Sequence, residues 1–169
     1  MHGQQEHRLS LHGVGRGRPR GTTLLPRPLL LAALCATATP GLALADGATL
    51  FSETCAACHG EGGVGTPGLA PPLNLADFWA GLGDKAPAYV AGVLMSGLTG
   101  KITAGGMDYI GLAMPAQVHL TDAEAAEVGT FVLATLGGQA AQALTPEAIA
   151  ADRAAPPTHA DLRALRKGG

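Results

Sequence analysis

The run Cys55-Ala56-Ala57-Cys58-His59 constrains this chain more than anything else in it. Thiols three positions apart on a helix lie on one face, so both can reach one edge of a single flat ligand. The histidine, four positions after the first cysteine, shares that face and can offer a ring nitrogen to a metal. C-x-x-C-H is the signature of covalent c-type haem attachment, in which the two sulfurs bond the vinyl edge of one porphyrin. A fold built on this run must open an apolar slot as wide as that ring.

Three other readings compete. A thioredoxin-like redox pair needs a strand–helix–strand setting, but Gly60, Gly62, Gly63, Gly65 and Gly68 follow here without a strand pattern. A structural zinc site needs four ligands; after residue 45 the remaining histidines are His119 and His159, and there is no second cysteine pair. A Cys55–Cys58 disulfide satisfies both thiols and leaves His59 idle. Haem uses all three residues.

The first 45 residues read as an export leader. Arg8, Arg16, Arg18, Arg20 and Arg27 form a basic region, Leu29 to Ala38 is apolar, and Ala43-Leu44-Ala45 is an A-x-A cleavage site before Asp46. The apolar stretch, ended by Pro40-Gly41, is too short to span a bilayer, although an uncleaved anchor is the competing reading. Cys35 goes with the leader. These features place the mature protein in the periplasm, with no membrane span once the leader is removed.

Without the leader, six basic residues face twelve carboxylates, a net charge of −6; residues 46–137 carry two basic against nine acidic residues, a net of −7. Such a surface repels nucleic acid and is steered toward redox partners with a basic docking surface. Residues 60–106 contain twelve glycines, too many for continuous helix or strand. A loop-rich domain of this size has little core of its own, and a buried porphyrin would complete it.

The expected elements are a short helix over 46–58, a Pro-bearing loop over 60–75, and a helix over 86–95 in which Tyr89, Val90, Val93 and Leu94 recur at helical spacing. A further loop over 101–118 follows, carrying Met107 and Met114. Thr121 and Glu124 form a capping box that opens a last amphipathic helix, stopped by Gly137-Gly138. No strand pattern appears. The expected domains are a leader (1–45), one all-α haem-binding domain (46–138) and a partly ordered tail (139–169). In that tail Thr145-Pro146-Glu147 begins a short helix that Pro156-Pro157 breaks.

An iron bound through His59 has a second axial position open. Met95, Met107, Met114, His119 and His159 are candidates. Met114 is the best placed, on a loop just before the capped helix and followed by Pro115, which fixes the backbone after it. Trp79 and Tyr109 are expected to line the pocket, where either can hydrogen-bond a haem propionate.

The order Gly47-Ala48-Thr49-Leu50-Phe51, the Cys55–His59 run, Pro71-Pro72-Leu73, Tyr109 to Pro115, then a helix with Phe131 resembles a bacterial, exported class I (monohaem) c-type cytochrome over roughly residues 46–137. The resemblance implies an all-α cytochrome c-like fold of short helices and Gly-rich loops around one haem c, with terminal helices crossed through Gly47 and Phe131. It implies thioethers from Cys55 and Cys58, and His59 and Met114 as axial iron ligands. A carbonyl of the Pro-rich loop, best matched by Pro71, would accept the hydrogen bond of the ligating histidine. The tail and the acidic surface depart from the family's common pattern.

Two strong axial ligands suit outer-sphere electron transfer and leave no site for a substrate. The leading reading is a periplasmic one-electron carrier that is not itself an enzyme. The alternative is a dedicated cytochrome subunit of a periplasmic dehydrogenase or oxidase, suggested by the tail. A third reading is an open-iron sensor or enzyme that loses Met114.

Overall fold

The computed structural model describes residues 46–166; the expected leader, residues 1–45, lies outside them. Asp46 starts the first helix by accepting a 2.9 Å hydrogen bond from the Thr49 N–H, which satisfies one of the unpaired amides of the opening turn. Helix α1 (Gly47–Thr54) ends at Cys55, and α2 (Ala56–His59) continues after that break. The expected single helix is thus two, with Cys55 at the joint.

The 60–75 segment is a loop with one short 3-10 turn at Glu61–Gly63. Helix α3 (Ala76–Leu82) follows, which the residue pattern did not reveal: Leu75 before it offers no capping side chain. Helix α4 (Ala86–Ser96) begins with Pro87 in its first turn and ends at Gly97, φ +70°.

The 98–114 region is not strand-free. Strand β1 (Leu98–Thr99) pairs antiparallel with β4 (Ala113–Met114), and β2 (Ile102–Ala104) pairs with β3 (Met107–Tyr109) across Gly105-Gly106. Both glycines have positive φ, +56° and +75°, as a tight hairpin turn requires. The architecture stays mostly helical, with these small sheets as additions.

Helix α5 (Asp122–Phe131) opens with the complete Thr121–Glu124 capping box and runs into a π-helical turn at Val132–Leu136. It crosses α1 where Gly47 has no side chain: a Cβ there would lie 2.7 Å from the Cβ of Phe131. The Phe51 and Phe131 rings meet beside the crossing, centroids 5.6 Å apart and planes tilted by 49°.

The tail forms α6 (Pro146–Ala154), capped by Thr145, and α7 (His159–Arg166). Leu144, Ile149 and Leu162 are buried in the same core as Leu133 and Val128. No helix among the described residues is long and apolar enough to cross a membrane.

Candidate haem-binding site

The pocket has two walls. One begins at the α1–α2 joint, where Cys55 is half-buried and Cys58 exposed, both as free thiols. Burial, with the neighbouring Cys58 adding to it, pushes the Cys55 thiol up to about 11. His59 is only 6% exposed, and its Nδ1–H donates to the Pro71 carbonyl at 2.9 Å. A carbonyl can only accept, so the proton sits on Nδ1 and leaves Nε2 its lone pair. Burial holds His59 below its ordinary range, opposed in part by the Pro71 bond, so the ring is neutral at physiological pH.

The loop that presents Pro71 closes on the same segment. The Gly65 N–H donates to the His59 carbonyl at 2.6 Å, and the Leu73 N–H to Gly63 at 2.7 Å. Gly65, at φ +79°, lets the chain pass the Pro71–Pro72 backbone; an added Cβ would lie 2.9 Å from the Pro71 carbonyl carbon.

A second wall carries Met114 in β4, paired with Leu98 of β1. Leu98, Ile102 and Leu112 line the cavity beside it, and Val90, Leu94 and Val128 close it from α4 and α5. Of the five candidates for a second axial ligand, Met114 alone lines the cavity with His59. Met95 is buried in the core, Met107 and His119 are exposed, and His159 sits between the Ser96 carbonyl and the Thr99 hydroxyl at 3.0 and 2.6 Å.

Trp79 and Tyr109 line the pocket as expected, but the Trp79 indole N–H donates to the Leu73 carbonyl at 2.6 Å. That bond uses its one donor, so Trp79 cannot serve a propionate. The sequence reading missed Arg166, which reaches the cavity from α7. The signal was present: His159, Arg163 and Arg166 fall on one helical face.

The cavity of about 280 Å³ is mostly apolar, with two thiols at one rim, an imidazole nitrogen in one wall and a thioether in the other. That donor set fits a c-type haem. Among the described residues no three His, Cys, Asp or Glu side chains gather as a metal site, so the zinc reading has no support there.

The apolar slot behind C-x-x-C-H, with short helices crossed beside it, defines a c-type cytochrome. The chain belongs to that family: the family described as "Cytochrome C oxidase, cbb3-type, subunit III" matches residues 42–132. Its cofactor is covalently bound haem c and its role is electron transfer. Two relatives are cytochromes c-552 of Thermus thermophilus. One is 36% identical over 132 residues, covering 66% of this chain and 86% of the relative. The other is 35% identical over 129 residues, covering 64% and 95%. The cbb3-type cytochrome c oxidase subunit CcoP of Cereibacter sphaeroides is 51% identical over 43 residues, 25% of this chain and 14% of that protein.

Proposed function

We propose that this chain is an exported, periplasmic one-electron carrier whose iron lies between His59 and Met114. The observation that carries the reading is that Met114, alone among the candidate second ligands, shares the cavity with His59. When bound, the haem supplies a ferric/ferrous couple. Cys55 and Cys58 would hold it by thioether bonds, and His59 Nε2 would ligate the iron while Nδ1–H stays on Pro71. That bond fixes the ring and raises its basicity. The Met114 thioether, soft and neutral, favours ferrous iron. With His59 and Met114 both holding the iron, no position would be left there for a substrate, which supports a carrier that is not an enzyme in its own right. The leader pattern supports the periplasm, and the acidic surface supports basic redox partners.

The test is carbon monoxide. Ferrous protein at neutral pH should cycle reversibly by one electron and refuse the ligand; rapid binding would mean an open iron.

A second reading is the dedicated cytochrome subunit of a periplasmic dehydrogenase or oxidase. The family's oxidase-subunit description and the short CcoP match favour it. A tagged mature protein gently purified from its native periplasm decides between the two. Recovery with a fixed stoichiometric partner establishes the subunit, and recovery as a monomer establishes the carrier.

A further inference from the structure

Arg166 lies beyond residues 42–132 that the family pattern matches, yet it is the one arginine or lysine among the described residues that lines the cavity. Its guanidinium stacks on the Phe78 ring at 4.2 Å. Nη2 donates to the Thr103 carbonyl at 2.8 Å and Nη1 to the Tyr89 hydroxyl at 3.2 Å. A guanidinium has five N–H donors, so most of its capacity is unspent.

No carboxylate among the described residues pairs with it. The contrast is Arg153, which meets Asp122 at 2.7 Å. On the surrounding elements Lys101 and Asp108 pair with each other, Asp161 is bonded to Thr158, Asp77 is exposed, and His159 is held by Ser96 and Thr99. Tyr109 also lines the cavity. Tyr89, 4% exposed, accepts from Arg166, and its own hydroxyl proton has no acceptor among the described residues. A half-buried cation and a buried hydroxyl, both with donors to spare, face one cavity. They call for an anion that accepts from both.

A porphyrin of this type carries two carboxylates, on the edge away from its vinyl groups. Here the thiols come from the α1–α2 joint, whereas Arg166 comes from α7, which packs on α4 and β1. Resting on the haem reading above, we propose that Arg166 and Tyr89 bind a haem propionate, so that the C-terminal helix acts as a positioning element for the cofactor. A guanidinium there keeps the propionate ionised through neutral pH. Ferric iron favours an ionised propionate more than ferrous iron does. A propionate titrating near neutrality therefore makes the reduction potential fall as pH rises, and a clamped one leaves it flat.

The experiment measures the midpoint potential against pH for holoprotein whose haem survives acid-acetone extraction. Wild type should be flat around neutrality. R166Q should acquire a falling slope and lie below wild type on the alkaline side. R166K, which keeps the charge but loses the fork, should show a smaller slope, and it carries the test if R166Q does not accumulate. R163Q breaks a neighbouring contact of α7, to the Thr99 carbonyl, without touching the cavity, and should stay flat. A flat profile in both Arg166 variants overturns the proposal, as does an equal slope in R163Q. Haem extractable from wild type would instead overturn the cofactor reading itself.

Discussion

The two walls of the pocket are built by opposite means. The His59 wall closes on itself: Gly65 bonds the His59 carbonyl, Leu73 bonds Gly63, and the His59–Pro71 bond spans only 12 positions. The Met114 wall is held from far away. His159 bonds the Ser96 carbonyl, Arg163 that of Thr99, and Arg166 that of Thr103, across 63, 64 and 63 positions. Arg153 reaches the Val118 and Leu120 carbonyls, and Ser96 donates to the Pro157 carbonyl. Strands of two and three residues cannot hold a shape alone, so the tail supplies what the local chain does not. One wall is a self-contained loop and the other is a strapped one.

The largest expected effect lies on the self-contained wall. Cys58→Ala removes one of the two thiols and should cripple covalent haem attachment in a periplasmic maturation system, read as loss of haem-stained protein. Normal haem loading would break the assignment of this wall.

Next comes the strap. Leu162 of α7 is fully buried, so Leu162→Ala should cost about 2–5 kcal/mol, as a buried leucine in any single core would. It should also speed carbon monoxide binding by loosening the Met114 side, while the haem stays covalently attached. A loss under about 0.5 kcal/mol in denaturant titration would mean that the tail does not fold cooperatively with the core.

The smallest effect separates the helix starts. Thr121 holds the Glu124 carboxyl below its usual range, first through its backbone N–H; the Thr49 N–H does the same for Asp46. With folded values below unfolded ones, the folded state binds fewer protons. These bonds therefore stabilise the fold above the ordinary carboxylate range and are lost as pH falls below about 4. Glu124→Gln should flatten part of the acid limb of the denaturant midpoint against pH and leave the Asp46 part. An unchanged limb would remove the capping box from the account.

What was legible in the sequence follows the same division. The C-x-x-C-H run, the Pro-rich loop and the capping box are local patterns whose partners lie within a few positions. The hairpin across Gly105-Gly106 went unread: strands of three residues are too short to show a strand's alternation, and only the Gly-Gly pair between them signals the turn. Helix α3 was hidden because Leu75 gives no cap and Gly81 and Gly83 break its period. The tail's role was hidden for a deeper reason. Arg153, Arg163 and Arg166 act mainly on backbone carbonyls, which look alike in every sequence, so nothing in the residues facing them announces the contact. Trp79 shows the converse: its type suited a propionate, but the Leu73 carbonyl had already taken its donor.

The central claim is that Met114 supplies the second axial ligand to an iron held by His59. Its most direct test is the far-red absorption of the ferric protein, where a methionine sulfur on iron gives a weak charge-transfer band. Wild type should show the band. Met114→Ala should abolish it, lower the potential and admit cyanide quickly, while Met107→Ala, at an exposed position, should leave all three unchanged. A band that survives in Met114→Ala, or vanishes in Met107→Ala, would contradict the account.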